Sequence, residues 1–129
     1  MSALGSQKEQ DGLYASGYSS YTSGNFGQAS KLFSSLVLAN PYDERYWRGL
    51  ASSKQMEGQY EEAARAWAMV SLLVDKDPMP HFHAAECLTS LHDSEQALKA
   101  LNMSESLLNA DSQELRSKIQ LLKKLNQEG

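Results

Sequence analysis

Apolar and small side chains recur every three or four positions along most of the chain, which is the spacing of amphipathic helices. One version of this spacing occurs three times, in the segments GNFGQASKLF, GQYEEAARAW and HDSEQALKAL. Each segment places an alanine four residues before a large apolar side chain, in the pairs Ala29 and Phe33, Ala63 and Trp67, and Ala97 and Leu101. The three alanines are 34 residues apart, so the pattern predicts a repeated structural unit of that length.

A period of 34 residues is typical of the tetratricopeptide repeat (TPR), in which each unit is a pair of antiparallel helices. We place the repeats at residues 10–43, 44–77 and 78–111, with turns inside them at 23–25, 57–59 and 91–93. The second repeat opens with Trp47-x-x-Leu50-Ala51, which is close to the TPR opening. The third repeat is degenerate, since no glycine marks its turn. We expect all three prolines, Pro41, Pro78 and Pro80, to lie between helices.

Residues 112–127 predict one further amphipathic helix, with Leu115, Ile119 and Leu122 on its apolar face. An open repeat array exposes apolar surface at its end, and a terminal helix with a polar outer face covers it. The predicted fold is therefore all-α, a single TPR domain over residues 1–129 with three helix-turn-helix repeats and a C-terminal capping helix.

Composition and charge exclude several classes of protein. The chain carries 12 basic and 16 acidic residues, a net charge of −4, which disfavours nucleic acid as a partner. Its one cysteine, Cys87, excludes an internal disulfide. The first ten residues lack the apolar core of a signal peptide, and no apolar stretch has the ~20 residues of a membrane-spanning helix. We expect a cytoplasmic protein without stable membrane insertion.

Catalytic motifs are missing from the sequence, which has no phosphate-binding glycine loop, no G-x-S-x-G and no HExxH. We therefore predict no catalytic residue and no cofactor. His81, His83, Glu86 and Cys87 lie close together in the sequence, and His83 and Cys87 share one face of a helix. Two donors do not make a closed zinc site, so we favour a structural role for these side chains and predict no metal.

The first predicted helix carries a stripe of tyrosines, Tyr14, Tyr18 and Tyr21. The first helix of each TPR lines the concave surface of the array, and these tyrosines fall at positions that face it. A tyrosine stripe suits a binding surface because each ring offers an apolar face and a polar edge. The alternative is that the tyrosines fill the space between the first helix and the second repeat, and the two interpretations are compatible.

Residues 77–87, DPMPHFHAAEC, resemble the central signature of the class II chaperones of type III secretion, the SycD/LcrH type. Residues 13–24 and 46–51 resemble the same family. The resemblance covers nearly all of residues 11–126 and implies a bacterial cytosolic chaperone. Such a chaperone binds an extended segment of a hydrophobic translocator protein in its concave groove and keeps it soluble before export.

The resemblance and the repeat register together predict the peptide-binding residues, which come from the first helix of each repeat. They are Tyr14, Tyr18, Tyr21, Arg48, Gln55, Met56, Phe82 and Glu86. Family members dimerise with the help of a longer N-terminal arm, and only residues 1–9 precede the first repeat here, so homodimerisation stays open. A general TPR scaffold that holds the subunits of a larger complex together is the alternative function.

Overall fold

The computed structural model describes residues 5–128, which form seven helices and no strand, as the sequence predicts. The helices are α1 (Gln7–Thr22), α2 (Phe26–Ala39), α3 (Glu44–Met56), α4 (Tyr60–Leu73), α5 (Pro78–Ser90), α6 (Ser94–Ser106) and α7 (Gln113–Glu128). Each helix packs against the next one along the chain. None of the described helices is long and apolar enough to cross a membrane.

The helix starts repeat at 34 residues. Helices α2, α4 and α6 begin at Phe26, Tyr60 and Ser94, and α3 and α5 begin at residues 44 and 78. Helix α1 begins earlier than residue 10, because Ser6 caps it. The Ser6 side chain accepts a hydrogen bond from the backbone N–H of Glu9, and its hydroxyl donates to the Glu9 carboxylate at 2.9 Å. This S-x-x-E pair has the sequence of a capping box, but its Glu9 carboxylate is bonded to the Ser6 hydroxyl rather than to the Ser6 backbone N–H.

The three predicted turns lie where the sequence places them, and all have the same backbone form. In each, the middle residue has a positive φ, at +80° for Gly24, +78° for Gly58 and +61° for His92. Glycine adopts this left-handed conformation without steric cost, and other residues do so rarely. The third turn therefore keeps its geometry without glycine. The last residues of two of these turns, Asn25 and Asp93, cap the next helix.

Two of the three prolines lie inside a helix rather than between helices, so this part of the sequence prediction is wrong. Pro78 is the first residue of α5, Pro80 is the third, and Asp77 caps the helix by accepting from the Met79 N–H. The first-turn N–H groups of a helix have no partner within it, so proline costs little there. Only Pro41 lies in a connection.

The core consists of three clusters, each shared by three consecutive helices. The first surrounds Phe33 and Tyr46, the second surrounds Trp67 and Val70, and the third surrounds Leu101 and Ile119. Neighbouring clusters meet through the helices they share, so the core runs along the array without a break. Trp67 is 4% exposed, which confirms the prediction that it fills a buried apolar position.

Helix α7 closes the array by both apolar and polar contacts. Ile119 is fully buried in the third cluster. The Lys123 ammonium donates to the Glu105 carboxylate at 2.8 Å, and the Asn126 amide donates to the Thr89 hydroxyl at 2.8 Å. These bonds tie α7 to both α6 and α5.

Candidate peptide-binding groove

Three adjoining cavities run along the face formed by α1, α3, α5 and α7, and we call this row the groove. The first and middle cavities share Tyr21 and Ser52, and the middle and third share His83 and Glu86. All eight predicted peptide-binding residues line one of the three cavities. Tyr14, Tyr18, Tyr21 and Arg48 line the first, Gln55, Met56 and Glu86 the middle, and Phe82 with Glu86 the third.

The three tyrosines of α1 differ in how far they reach into the groove. Tyr18 is 58% exposed, whereas Tyr14 and Tyr21 are half-buried. The Tyr14 ring lies 5.9 Å from the Phe33 ring, and the Tyr21 ring lies 5.3 Å from the Phe26 ring. The stripe thus packs against the core and lines the groove at the same time, and its role in binding stays a prediction.

Phe33 reaches the floor of the first cavity because two glycines make room for its ring. An added Cβ at Gly17 would lie 3.0 Å from the ring, and one at Gly49 would lie 2.4 Å from it. Both distances are shorter than ordinary van der Waals contact. The aromatic floor therefore depends on glycine in both α1 and α3.

Two arginines of α3 form the other side of the first cavity, and both are paired. The Arg45 guanidinium lies 4.9 Å from the centre of the Tyr14 ring, a cation–π distance, and pairs with Asp43 at 2.8 Å. Arg48 pairs with Glu44 on its own helix and with Asp77 at 2.7 Å. Arg48 thereby links α3 to the residue that caps α5.

Arg48 and Asp77 also hold each other in their charged forms. Burial on its own would raise the pKa of Asp77, but hydrogen bonds from Arg48 and the Met79 N–H outweigh it and hold the pKa below its usual value. Burial alone would lower the pKa of Arg48, and its bonds to Asp77 and Glu44 raise the pKa instead. The first cavity therefore has a fixed, ordered ionic edge.

The middle cavity is built around a closed ring of four side chains. The Trp67 indole N–H donates to the Gln55 amide oxygen at 2.8 Å, and the Gln55 amide nitrogen donates to Glu86 Oε1 at 3.2 Å. His83 Nδ1 lies 2.7 Å from the same Oε1, and the imidazole stacks on the Trp67 ring at 4.7 Å. Sequence reasoning missed His83 as a groove residue, although it lies three residues before Glu86 on α5.

The third cavity extends the groove onto α7, which the sequence treats only as a cap. Leu121 and Leu125 are 71% and 57% exposed, and both line this cavity with Met79. Their four-residue spacing is the available signal, since it places them on one face of α7, next to Leu122 rather than to the buried Ile119. This cavity has a volume of about 390 Å³, against about 170 Å³ for the first.

Phe82 contributes less to the groove than its predicted position implies. It is 6% exposed and belongs to the third core cluster, packed with Leu101 and Ile119. It also borders the third cavity. The repeat register gives the helix face correctly but omits α7, whose Ile119 belongs to the same buried cluster.

The His/Cys cluster of α5 does not come together as a ligand set. Cys87 is fully buried in the second core cluster, and burial raises the pKa of its thiol to about 12. Within residues 5–128, no group of three or more His, Cys, Asp or Glu side chains is arranged to hold a metal ion. Cys87 therefore acts as a small apolar side chain, and His83 binds to Glu86 and Trp67.

Known proteins share both the sequence and this fold. The chain is 33% identical over 104 residues to the low calcium response locus protein H of Yersinia pestis, and the matched region covers 81% of this chain and 61% of that protein. It aligns with the Yersinia enterocolitica type III secretion chaperone SycD, solved with a peptide of the translocator YopD, at a TM-score of 0.87 and 27% identity over 95% of both chains.

PcrH, solved in complex with the chaperone-binding region of PopD, aligns at a TM-score of 0.85 and 28% identity over 95% of this chain and 94% of that one. No family model matches the chain. Fold and groove together define an all-helical, TPR-type binding protein. In sequence and in fold the chain is similar to class II chaperones of type III secretion, and it spans about three fifths of the length of the curated relative.

Proposed function

We propose that this protein is a type III secretion chaperone that holds an extended segment of a hydrophobic translocator in its groove until export. The observation that carries the proposal is the groove itself, a row of three cavities with aromatic and leucine side chains at its two ends. SycD and PcrH, which share this fold, are solved with segments of YopD and PopD.

The chemistry of the groove suits an extended client segment rather than a folded domain. Separate cavities in a row accept side chains that are spaced along one chain, as in other peptide-recognition grooves. The client's apolar residues leave water on binding, which removes surfaces that would otherwise aggregate or enter a membrane early. Segments that contain proline suit such a groove because they lose little conformational entropy.

The relatives are chaperones, and we propose that this chain also acts by binding alone, in the bacterial cytoplasm, without catalysis. We further propose that it works as a single domain with repeats at 10–43, 44–77 and 78–111 and a capping helix at 112–127. This division keeps each helix pair within one repeat, apart from the earlier start of α1.

Co-expression with the translocator YopD tests the proposal. We expect YopD to stay in the soluble fraction and to copurify with this chain, because the groove shields a segment that otherwise aggregates. The control is a variant of this chain with Tyr18→Ala and Leu121→Ala, which removes exposed anchors at both ends of the groove. YopD that stays insoluble with the wild-type chain would contradict the proposal. Copurification of equal strength with the variant would place the contact elsewhere.

A further inference from the structure

Glu86 occupies an unusual position in the groove, at the junction of the middle and third cavities. Its side chain is 38% exposed, and its Oε1 atom receives both hydrogen bonds, from Gln55 at 3.2 Å and from His83 at 2.7 Å. Among residues 5–128, Glu86 Oε2 has no hydrogen-bond or ion-pair partner. One oxygen is thus fixed by the ring, and the other belongs to a partly exposed side chain that lines two cavities of the groove.

The ring holds this carboxylate both in place and in its charged form. Burial on its own would raise the pKa of Glu86, but the hydrogen bonds from His83 and Gln55 outweigh it and hold the pKa below its usual value. Because Gln55 is itself bonded to the buried Trp67, the carboxylate is anchored to the core. A preorganised acceptor loses little entropy when a donor binds.

The charge of Lys118 helps to lower the pKa of Glu86, but neither Lys118 nor Arg48 forms an ion pair with Oε2. Lys118 lines the third cavity, and its ammonium pairs with Glu114 at 3.4 Å. Arg48 pairs with Glu44 and Asp77. An apolar client residue over Oε2 would remove water from a charged oxygen without replacing the lost hydrogen bond. The desolvation free energy would then weaken binding.

We propose that Glu86 determines which client segments the groove accepts. Its Oε2 atom receives a hydrogen bond from a client donor that lies between two apolar anchors, one in the first cavity and one in the third. The donor is a backbone N–H or a polar side chain at that client position. This inference rests on the proposed function, since it names the chemistry that a segment bound in the groove must carry.

A double-mutant cycle with the YopD peptide tests the inference. Each peptide residue is replaced singly, once by its N-methylated form and once by alanine, and each peptide is titrated into the wild-type chain and into Glu86→Gln. We expect Glu86→Gln to weaken the unmodified peptide about tenfold or more, as for a lost hydrogen bond to a charged group. At one peptide position, we expect the modification to weaken binding to the wild-type chain and to leave binding to Glu86→Gln unchanged.

The kind of peptide modification that shows this coupling, N-methylation or alanine replacement, identifies the donor. Coupling to N-methylation assigns the bond to the client backbone, and coupling to alanine assigns it to a client side chain. Glu95→Gln removes an equal charge from the exposed face of α6 and serves as the control for net charge, with binding expected within about twofold of wild type. If Glu86→Gln is poorly folded, the same coupling is measured with Glu86→Asp. This substitution keeps the charge, but its shorter side chain moves the carboxylate oxygens away from the client.

Two results would overturn the inference. The first is a folded Glu86→Gln that binds the unmodified peptide as tightly as the wild type. The second is a deficit in Glu86→Gln or Glu86→Asp that is the same at every peptide position, because a merely structural role gives no position-specific coupling. In either case the peptide still binds the wild type and the proposed function stands. A wild-type chain that binds no YopD peptide would overturn both.

Discussion

Trp67 joins the core of this protein to its groove. Its ring is buried in the second core cluster, its indole N–H bonds to Gln55, and one face stacks on His83. The residue therefore sets the floor of the middle cavity as well as the packing between α4 and its neighbours. A change at Trp67 should act on stability first and on the groove as a consequence.

Trp67→Ala should lower the free energy of unfolding by about 3–5 kcal/mol, because it leaves a large cavity and removes the donor to the Gln55 amide oxygen. Urea denaturation followed by circular dichroism measures this change. Leu72→Ala on the same helix is the control, since Leu72 is 74% exposed and should cost about 0.5 kcal/mol or less. A loss below about 1 kcal/mol at Trp67 would contradict the buried position.

The two glycines Gly49 and Gly12 give a matched pair of helix substitutions with opposite expected signs. Gly49→Ala should destabilise by about 1–3 kcal/mol because the new methyl group meets the Phe33 ring at 2.4 Å. Gly12→Ala meets nothing within 4 Å and should stabilise α1 by about 0.5–1 kcal/mol. Thermal unfolding of both variants checks the signs, and a stabilising Gly49→Ala would refute the close packing of Phe33.

At the scale of helices, the link between α3 and α5 depends on an ion pair rather than on apolar contact alone. Asp77 accepts from the Met79 N–H at the start of α5 and from Arg48 of α3 at 2.7 Å. One carboxylate therefore caps one helix and ties it to another. Arg48 also lines the first cavity, so this link ties that cavity to the start of α5.

Asp77→Asn should lower the free energy of unfolding by about 1 kcal/mol at pH 7, because it removes a charge-assisted hydrogen bond at a partly exposed site. The pKa of Asp77 is lower in the folded chain than in the unfolded one, so the unfolded state binds the extra proton. The stabilisation is therefore present above the unfolded pKa of about 4 and is lost as pH falls through the folded pKa.

Urea denaturation of the wild type and Asp77→Asn at pH 7, 5 and 3 measures this dependence. The gap between the two proteins should be largest at pH 7 and should narrow by pH 3. Asp75→Asn, at an exposed position two residues away, should differ little from wild type at any of these pH values. A gap that stays constant with pH would show that Asp77 acts only through its shape.

Helix order, turns and the buried face of the second helix in each repeat follow from the sequence because they depend on local spacing. The pairs Ala63–Trp67 and Ala97–Leu101 have the period of a helix, and the 34-residue repeat fixes their relation. The third turn shows that this spacing can hold without its usual residue, since His92 adopts the conformation of Gly24 and Gly58.

The groove could be predicted only in part, because its far end depends on contacts between distant segments. The repeat register places Phe82 on the groove face but carries no information on α7, whose Ile119 belongs to the same buried cluster. The repeat register likewise does not predict that Leu121 and Leu125 are exposed. The ring around Glu86 joins α3, α4 and α5, and no local pattern specifies such a network.

At the scale of the whole molecule, the groove is open along its length and has a distinct chemistry at each cavity. The first cavity is aromatic with an ionic edge, the middle one is the most polar of the three, and the third is lined mainly by leucine, methionine and phenylalanine. Continuous packing from α1 to α7 holds the three cavities in register. A client segment can therefore be contacted at several positions at once, which favours specific recognition over non-specific binding of apolar chain.

The groove's role in client binding is tested most directly by Tyr18→Ala, measured for both binding and stability. Tyr18 is exposed in the first cavity, so its removal should weaken the YopD peptide by about 30-fold, or about 2 kcal/mol, while the free energy of unfolding changes by about 0.5 kcal/mol or less. Tyr42→Ala, at a tyrosine 83% exposed outside the three cavities, should leave both unchanged. A folded Tyr18→Ala protein that binds the peptide as tightly as the wild type would contradict the account.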